Sequence, residues 1–487
     1  MKLDEILKSA AIEPQEVLGS KAETQEIADI VLDSRKAGKE VLFVAQSGTN
    51  VDGHDFIGKA IENGSTAIVC EKFEGEVPEG VTIVVCKDTH EDLGHIASAF
   101  FRHPSREMKV VGVTGTNGKT TIATLLYKLV MKMNRRAGLF STVANYVVEE
   151  RTTAMQTTPD AITLHRQMRR MKDAGCEYCF MEVSSHSVVQ KRIAGIEFDG
   201  GIFTNLTHDH LDFHKTFAAY INAKKGFFDS LSKEAFALTN SDDKNGSKMI
   251  QNTRARKRTY ALQTMADYKG KLVEDSIDGM RMDFNGCEAH MLFCGRFNAY
   301  NLLAIYGAAL ELGFEGSEVL TALSGLRPVN GRFEPHRTSK GATAIVDYAH
   351  TPDALLNVLS TINKIRRGNG NRSKLIAVVG CGGDRDRTKR PEMAHEAAKG
   401  ADYVILTSDN PRSENPQDII NDMLVGLTDE EKARTTVIVD RREAIRKASE
   451  MSVTGDIILV AGKGHEDYQE IKGVKHHFSD REEVEQL

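Results

Sequence analysis

The sequence predicts an α/β protein of three domains, and three observations support this prediction. A chain of 487 residues exceeds one ordinary hydrophobic core, so its length suggests about three domains. Short β-branched apolar runs alternate with helical stretches, a pattern typical of mostly parallel sheets. Residues 109–132 combine a strand pattern, a glycine loop and a helix pattern, which is the order of a mononucleotide-binding unit.

Residues 1–105 form the first predicted domain, a small α/β unit. Apolar runs at residues 41–45, 67–70 and 81–86 predict strands, and residues 58–63 predict a helix. Asp33-Ser34-Arg35 falls in a predicted loop, and residues 48–56 form another loop containing glycine and aspartate. The residues alone leave both loops open between surface turns and parts of a binding site.

The second predicted domain, residues 106–334, contains a mostly parallel sheet. We expect its strands at residues 110–113, 178–183, 200–205 and 235–239, with helices at 122–132 and 297–312. The third domain, residues 335–487, resembles a dinucleotide-binding fold. Its predicted strands are 342–347, 375–380, 403–407, 437–439 and 457–461, and its predicted helices include 352–365 and 391–399.

Composition narrows the class of protein. Charged residues make up 27% of the chain and the net charge is -6, which argues against general nucleic-acid binding. The partners are therefore expected to be small molecules, and the protein is expected to be a monomer. No apolar run reaches about 18 residues, and charges interrupt the first eight, so we expect no membrane segment and a cytoplasmic location. The odd, scattered set of cysteines predicts reduced thiols: Cys70, Cys86, Cys176, Cys179, Cys287, Cys294 and Cys381.

Residues 114–120, Thr-Gly-Thr-Asn-Gly-Lys-Thr, form a predicted phosphate loop. Backbone N–H groups in such a loop bind polyphosphate, Lys119 reaches the β and γ oxygens, and Thr120 reaches a magnesium ion. The usual spacing would place glycine at position 113, where this chain has Val113, so the motif is a variant. The predicted cofactors are therefore ATP and Mg²⁺.

Two polar clusters follow strands of the same domain. Glu182 directly follows an apolar strand, so its carboxylate is predicted beside the phosphate loop as a magnesium ligand; alternatively, Ser184 or Ser185 caps a helix there. Residues 204–214 could hold zinc, but the magnesium implied by the loop favours one histidine completing that shell. This cluster contains His208, Asp209, His210, Asp212 and His214. Lys224 and Lys225, on a predicted helix, are expected to be solvated.

Charged motifs also lie at predicted strand ends of the third domain. Four basic residues within 385–390 suggest an acidic ligand, and Asp409 near Arg412 suits the ammonium and carboxylate groups of an amino acid. The motifs are Gly331-Arg332-Phe333-Glu334, Asp347-Tyr348-Ala349-His350, Asp409-Asn410-Pro411-Arg412 and Gly462-Lys463-Gly464-His465-Glu466.

Taken together and in this order, the motifs at 114–120, 182–186, 205–214, 297–301, 331–334 and 347–352 resemble those of the Mur ligases over essentially the whole chain. The resemblance implies an ATP-dependent ligase of peptidoglycan precursor synthesis. Asp33-Ser34-Arg35 and Asp409-Asn410-Pro411-Arg412 are similar to the member that adds meso-diaminopimelate to the γ-carboxylate of D-Glu in UDP-MurNAc-L-Ala-D-Glu, through an acyl phosphate. Rival interpretations are a lysine-adding ligase, folylpolyglutamate synthase and a non-catalytic nucleotide-binding protein.

The resemblance also implies residue roles. Against the solvated interpretation, it implies a carbamylated Lys224 that ligates magnesium with Thr120, Glu182 and His210. The implied catalytic residues are Lys119, Glu182, His210 and Lys224. The implied ATP site contains Thr114, Gly115, Thr116, Asn117, Gly118, Lys119, Thr120, Asn301, Arg332 and Asp347. The implied UDP-MurNAc-dipeptide site contains Ser34, Thr157, Thr158, Ser184, Gln190 and Arg192. The implied diaminopimelate site contains Arg385, Asp409, Asn410, Pro411, Arg412, Gly462 and Glu466.

Overall fold

The computed structural model describes residues 1–48, 51–207, 216–368 and 373–487. These residues form three large sheets in chain order, each with helices packed against it, and one separate two-stranded hairpin. The predicted α/β class with three sheets is confirmed, whereas the domain boundaries at residues 105 and 334 stay predictions.

The first sheet is small and mostly parallel, in the order β1-β5-β4-β3-β2, with β1 antiparallel to β5. Its strands are β1 (Glu16–Gly19), β2 (Asp29–Val31), β3 (Val41–Val44), β4 (Ala67–Cys70) and β5 (Thr82–Val85). Its helices are α1 (Leu3–Ser9), α2 (Ile57–Glu62) and α3 (Thr89–Phe100), with 3₁₀ turns at Ala22–Thr24, Ser34–Lys36, Gly53–Phe56 and Pro104–Glu107. The loop predicted around Ser34 is therefore a 3₁₀ turn between β2 and β3.

The central sheet has eleven strands, and its middle strands are parallel. The strands are β6 (Lys109–Thr114), β7 (Ala137–Phe140), β8 (Asn145–Val147), β9 (Glu150–Thr152), β10 (Tyr178–Glu182), β11 (Gly200–Phe203), β12 (Phe236–Asn240), β13 (Arg256–Ala261), β14 (Tyr268–Ser276), β15 (Gly279–Phe284) and β16 (Cys287–Met291). Its order is β16-β15-β14-β13-β12-β11-β6-β10-β7-β8-β9, with antiparallel pairs at both ends. The described helices are α4 (Lys119–Lys132), α5 (Ala161–Asp173), α6 (Ser185–Val189), α7 (Phe217–Asp229), α8 (Gly246–Met249), α9 (Arg296–Glu311) and α10 (Gly316–Ser324).

The third sheet has the order β17-β18-β22-β19-β20-β21, with only β17 antiparallel to its neighbour. The strands are β17 (Glu334–Arg337), β18 (Thr343–Asp347), β19 (Leu375–Val379), β20 (Tyr403–Leu406), β21 (Thr435–Val437) and β22 (Ile457–Ala461). A separate hairpin consists of β23 (Tyr468–Ile471) and β24 (Val474–His477). The helices are α11 (Pro352–Gly368), α12 (Lys389–Gly400), α13 (Pro416–Leu424), α14 (Asp429–Lys432), α15 (Arg441–Met451) and α16 (Asp480–Glu485).

The cores explain why the apolar runs were visible in the sequence. Strands β6, β10, β11 and β12 are buried along their length, with one exposed residue at Lys109 and one half-buried residue at Tyr178. Their alternate side chains enter two hydrophobic clusters, one on each face of the central sheet. Two further clusters cover the two faces of the third sheet in the same way. Parallel strands covered on both faces need apolar residues at every position, so they appear as continuous runs.

Two expectations from composition can be compared with the structure. All seven cysteines are free, as predicted, and burial raises the pKa of the thiols of six of them: Cys70, Cys86, Cys176, Cys179, Cys294 and Cys381. Across residues 1–48, 51–207, 216–368 and 373–487, we find no helix with the length and apolar character needed to cross a membrane.

Candidate active site

The phosphate loop connects the carboxyl end of β6 to the first turn of α4. Gly118 adopts a φ of 90°, and a Cβ at this position would lie 2.6 Å from Asn301 Oδ1. Only glycine combines that backbone conformation with so close a neighbour. Asn117 is fixed from the opposite side, since its N–H donates to Asn205 Oδ1 and its carbonyl accepts from Thr204 Oγ1. The loop thus has one set conformation at the start of a 14-residue helix.

Two lysines converge on the carbonyl oxygen of Gly115. Lys119 Nζ donates to it at 2.9 Å and to Thr116 O at 2.7 Å, while Lys224 Nζ donates to the same Gly115 oxygen at 2.8 Å. Lys224 also lies over the ring of Tyr220, 4.7 Å from its centroid. The prediction that Lys224 and Lys225 are solvated is wrong: their exposed fractions are 1% and 9%. Helix α7 packs against the phosphate-loop side of the sheet, and the isolated sequence of one helix carries no signal for that packing.

Glu182 lies where the sequence placed it, at the carboxyl end of β10 beside β6. Its backbone pairs with Val113, its side chain is 1% exposed, and its Oε1 accepts the N–H of Thr142 at 2.6 Å. Ser184 caps α6 by accepting from Ser187 N, so the capping interpretation is confirmed as well. Glu182 and Thr120 supply hard oxygen donors, which suit Mg²⁺.

Most of the predicted dipeptide-binding residues lie close to Glu182 and to one another. Thr158 donates to Glu182 O at 2.9 Å, and its carbonyl accepts from Arg192 at 2.9 Å. Thr157 accepts from Thr142 Oγ1, and Gln190 Oε1 is buried without a protein partner among the described residues. Ser34 belongs to the first domain, where its carbonyl accepts from Asn63 Nδ2.

Residues on both sides of the predicted boundary between the second and third domains reach the phosphate loop. Arg332 donates to Thr120 Oγ1 at 3.2 Å and lies 4.5 Å from the centroid of the Tyr348 ring. Asp347, at the end of β18, accepts the N–H groups of Phe333 and Ala349 at 2.7 and 2.8 Å, which fixes the Arg332 segment. Burial raises the pKa of Asp347, while Arg332 and these two N–H groups oppose the shift. Asn117 Nδ2 also donates to Asp353 at 3.3 Å.

The loop after β22 joins this region to a second group of charges. Gly462 N donates to Asp347 O at 3.1 Å, and a Cβ on Gly462, whose φ is 117°, would lie 2.6 Å from Asp409 Oδ2. His465 packs against Tyr348 with ring centroids 4.9 Å apart. Burial, reinforced by Arg332, lowers the pKa of His465 to about 3, so its imidazole is neutral at physiological pH.

The second group, which we call the C-terminal cluster, consists of Asp409, Asn410, Arg412, Lys463 and Glu466. Asn410 Nδ2 donates to Glu466 Oε2 at 2.7 Å, and Lys463 Nζ donates to Asn410 Oδ1 at 3.2 Å and to Glu466 Oε2 at 3.3 Å. Burial and the neighbouring Asp409 raise the pKa of Glu466. The cluster lies at the carboxyl ends of β20 and β22, the edge where open α/β sheets bind ligands.

Arg412 occupies an unusual backbone position in this cluster. Its φ is 51°, and its N–H donates to Glu470 O at 2.9 Å while its carbonyl accepts from Lys472 at 2.6 Å. Its guanidinium donates to Gly383 O at 2.5 Å and lies 3.8 Å from the Glu470 carboxylate. Strand β23 therefore holds Arg412 in a left-handed conformation that a residue other than glycine seldom adopts.

The basic segment 385–390 has a different role from the one predicted for all four residues. Arg390 is 1% exposed and binds Glu414 at 2.7 Å and Asp422 at 2.8 Å, and Arg387 also binds Asp422. These arginines therefore hold protein carboxylates, and the acidic-ligand prediction is wrong for them. Arg385 is exposed, and its Cγ lies near Gly382, the residue beside the Arg412 guanidinium.

Sequence reasoning missed Lys463 and the hairpin of β23 and β24. Lys463 follows the apolar strand β22 with only Gly462 between them, and this position at the carboxyl end of a parallel strand is the signal that could have marked it as a site residue. The predicted metal residue His210 and its neighbours His208, Asp209, Asp212 and His214 lie outside the described residues. Within the part that is described, no three His, Cys, Asp or Glu side chains group as a metal site.

Comparison with family models matches three segments of the chain. Residues 26–101 match "Mur ligase family, catalytic domain", residues 113–309 match "Mur ligase middle domain", and residues 331–464 match "Mur ligase, glutamate ligase domain". The last match ends before the hairpin of β23 and β24. The matched segments thus contain the phosphate loop and most of the C-terminal cluster.

Curated relatives are similar over almost the whole length. The UDP-N-acetylmuramoyl-L-alanyl-D-glutamate--2,6-diaminopimelate ligase of Phocaeicola vulgatus is 56% identical over 482 residues, which cover 99% of this chain and 98% of the relative. The ligase of the same name from Bacteroides fragilis is 54% identical over 487 residues, covering 100% and 99%. A solved structure with that ligase name is 33% identical, has a TM-score of 0.71, and covers 99% of this chain and 98% of its own.

A solved folylpolyglutamate synthase from Mycobacterium tuberculosis shares only the fold. It is 16% identical with a TM-score of 0.59, and the match covers 75% of this chain and 91% of that one.

Proposed function

Because this chain belongs to the Mur ligase family, we propose that it catalyses the ATP-dependent addition of meso-diaminopimelate to the γ-carboxylate of D-Glu in UDP-MurNAc-L-Ala-D-Glu. One observation carries the proposal from the structural side. The loop 462–466 contacts both regions: Gly462 bonds Asp347 on the nucleotide side and faces the Asp409 carboxylate, while Glu466 bonds Asn410. A nucleotide site and an amino-acid site that share one loop suit a reaction that joins their products.

The chemistry explains why two sites are required. A carboxylate is a poor acylating agent because its leaving group would be oxide. Attack of the γ-carboxylate oxygen on the γ-phosphorus of ATP releases ADP and gives an acyl phosphate. The acceptor amine then attacks the acyl carbon, loses a proton, and expels inorganic phosphate from the tetrahedral intermediate. Stabilisation of the charge in both steps is mainly electrostatic.

The phosphate-loop residues have matching roles in this proposal. The N–H groups at residues 115–120 bind the β- and γ-phosphates, and Lys119 neutralises charge on the transferred group. Asn301, Arg332 and Asp347 contact ATP from the other side of the loop. Thr120, Glu182 and carbamylated Lys224 hold Mg²⁺ together with His210, which is assigned from its motif alone. The bound ion would offset the negative charge of the phosphates.

Carbamylation of Lys224 is supported by the geometry around Gly115. The ammonium groups of Lys119 and Lys224 both donate to the carbonyl oxygen of Gly115, so two like charges lie close together, and Lys224 is 1% exposed. The deprotonated amine of Lys224 adds to the carbon of CO2 and loses a second proton, which gives a carbamate. This replaces one cation with an anion, which pairs with Lys119 and adds an oxygen ligand for the metal. Lys224 then has the same role as a glutamate at this position would have.

The remaining residues position the two other substrates. Ser34, Thr157, Thr158, Ser184, Gln190 and Arg192 hold the UDP-MurNAc dipeptide, and the buried Gln190 Oε1 has an acceptor position available for a donor of that substrate. In the C-terminal cluster, Glu466 holds the distal ammonium of diaminopimelate and Arg412 its distal carboxylate. Arg385, Asp409, Asn410, Pro411 and Gly462 complete that site.

The test is phosphate release from ATP with UDP-MurNAc-L-Ala-D-Glu, comparing meso-diaminopimelate with L-lysine as acceptor. We expect release to require both substrates and to prefer diaminopimelate by at least about tenfold, because lysine leaves Arg412 without its carboxylate partner. Turnover with lysine but not with diaminopimelate would support the ligase function and would contradict the assignment of diaminopimelate as the acceptor. Absence of acceptor-dependent release would discard the ligase function, and release with folate substrates instead would support a folylpolyglutamate synthase.

A further inference from the structure

Lys463 is a fully buried lysine whose oxygen partners all belong to the C-terminal cluster. Its side chain is 0% exposed, and its Nζ lies 3.2 Å from Asn410 Oδ1, 3.3 Å from Glu466 Oε2 and 3.9 Å from Asp409 Oδ1. Its fourth neighbour is the Tyr468 ring, with a centroid 5.6 Å from Nζ. Lysine is rarely buried completely, and it remains charged in such a place only with compensating partners.

The three oxygen partners of Lys463 belong to residues of the proposed acceptor site. Asn410 Oδ1 also accepts the N–H of Glu470 at 2.9 Å, and Asn410 Nδ2 donates to the same Glu466 oxygen that binds Lys463. These bonds link Lys463, Asn410, Glu466 Oε2 and the backbone of Glu470 into one network. Because Lys463 is enclosed, its role is to fix and neutralise the residues that contact the acceptor.

The charge balance of this network bears on which acceptor is preferred. Asp409 and Glu466 carry two negative charges, and the Lys463 ammonium offsets one of them. The distal end of meso-diaminopimelate carries an ammonium and a carboxylate and is neutral overall, whereas the distal end of lysine is a single cation. Without the charge at Lys463, the cluster would be more negative by one unit and would attract the lysine end more strongly.

We propose that Lys463 is a specificity-determining residue, whose buried positive charge makes the C-terminal cluster favour a zwitterionic acceptor end over a cationic one. The proposal rests on the proposed function. Lys463 acts through Asp409, Asn410 and Glu466 and is therefore a positioning residue. Removing its charge should alter the choice of acceptor more than the rate of phosphoryl transfer.

The test is Lys463→Met, which keeps the length of the side chain and removes its charge. The quantity to measure is the ratio of kcat/KM for meso-diaminopimelate to kcat/KM for L-lysine. We expect this ratio to fall by about tenfold or more, with a raised KM for diaminopimelate and an unchanged KM for ATP. A uniform fall for both acceptors, which leaves the ratio unchanged, would overturn the proposal and assign Lys463 a purely structural role.

A second variant separates charge from hydrogen bonding. Lys463→Gln keeps amide donors for Asn410 and Glu466 but carries no charge, so we expect the same loss of preference. Wild-type preference in this variant would overturn the proposal. Lys475→Met is the matched control: Lys475 lies 4.1 Å from the centroid of the same Tyr468 ring but is exposed on the hairpin, and its loss should leave the ratio unchanged.

The wild-type measurement distinguishes this inference from the proposed function. If the wild-type protein shows no acceptor-dependent phosphate release, the proposed function fails, and this inference fails with it. If the wild type prefers diaminopimelate and both Lys463 variants keep that preference, only this inference fails. Thermal unfolding and ADP binding, measured on every variant, verify that the compared proteins are folded.

Discussion

The phosphate loop and the C-terminal cluster lie at equivalent places in two sheets but are built differently. Both lie at the carboxyl ends of parallel strands. The phosphate loop is one contiguous segment, residues 114–120, and Lys119 bonds carbonyls of its own loop. The C-terminal cluster combines the loops after β20 and β22 with strand β23. Its cations bond groups distant in the sequence, since Lys463 donates to Asn410 Oδ1 and Arg412 donates to Gly383 O.

Because of this difference in construction, we expect the phosphate loop to govern the rate of catalysis and the C-terminal cluster to govern the choice of acceptor. A contiguous backbone loop binds any triphosphate of suitable shape, so its side chains govern the rate of transfer. In the cluster, two carboxylates, an amide and two cations are fixed relative to each other, and a ligand is selected by whether its charges match. Substitutions in the first region should therefore change turnover with every acceptor, whereas substitutions in the second should change the preference between acceptors.

The largest expected effect is on the phosphate-loop side, for Lys224→Ala. We expect kcat to fall by about 10²–10³-fold with diaminopimelate and with lysine alike, because a group that stabilises the transferred phosphoryl charge is lost. Added formate or acetate should restore part of the activity by supplying a carboxylate where the carbamate stood, and bicarbonate should not. Steady-state phosphate release measures all three results.

Lys225→Ala is the matched control for that substitution. Lys225 is the next residue on α7, but its ammonium pairs with Asp229 at 2.6 Å and not with the phosphate loop. We expect turnover within a few-fold of wild type and a loss of stability of about 1–3 kcal/mol, because Lys225 is buried and Asp229 loses its partner. Near-wild-type turnover in Lys224→Ala would exclude the carbamate, and a change in acceptor preference would contradict the division between the two regions.

A smaller and more selective effect is expected for Arg412→Ala in the C-terminal cluster. Loss of a charged partner for the distal carboxylate should cost about 1–3 kcal/mol, or about 10- to 100-fold in kcat/KM, with diaminopimelate. Activity with lysine should change little, since lysine has no such carboxylate. The comparison requires kcat and KM for both acceptors, with the KM for ATP as an internal reference.

Arg387→Ala tests whether removing any arginine near the cluster lowers kcat/KM selectively with diaminopimelate. Arg387 is exposed, binds Asp422 at 3.0 Å and lies in the segment before α12. We expect an unchanged acceptor preference and an effect on stability of at most about 1 kcal/mol. An equal loss of kcat/KM with both acceptors in Arg412→Ala would mean that Arg412 supports the fold of its loop and does not bind the distal carboxylate.

The same contrast explains what could be predicted from the sequence. Strands β4 and β22 match the predicted ranges because both faces are covered and every residue is apolar. The phosphate loop and Glu182 were found because strand, glycine and acid follow each other within short segments. The antiparallel strands β14, β15 and β16 were missed, since one face is partly solvated and their alternating residues carry no continuous apolar run.

The C-terminal cluster shows where sequence reasoning stops. The motif around Asp409 suggested that its carboxylate and Arg412 act as a pair, but the turn after Pro411 directs the guanidinium to Gly383, and Lys463 occupies the space near Asp409. Lys463 is separated from Asp409 by more than fifty residues, so no local spacing reveals their contact. The burial of Lys224 was hidden for the same reason, because it depends on how α7 packs against β6.

The last expected effect is on stability and not on turnover, and it concerns pH and the Arg390 ion pairs that support the Arg412 loop. Hydrogen bonds from Arg390 lower the pKa of Glu414 from 4.5 to about 2, so this pair stabilises the protein fully above pH 4.5 and progressively less as the pH falls toward 2. Glu414→Gln should therefore lose about 1–3 kcal/mol of unfolding free energy at neutral pH, and the difference from wild type should shrink below pH 4.5. Denaturant unfolding between pH 2 and neutral pH measures this difference in unfolding free energy. The control is Glu450→Gln, because Glu450 forms an exposed ion pair with Lys447, and its unfolding free energy should stay within about 0.5 kcal/mol of wild type. A difference that does not depend on pH would mean that Glu414 acts through packing, and the cluster would then depend less on fixed charges than we infer.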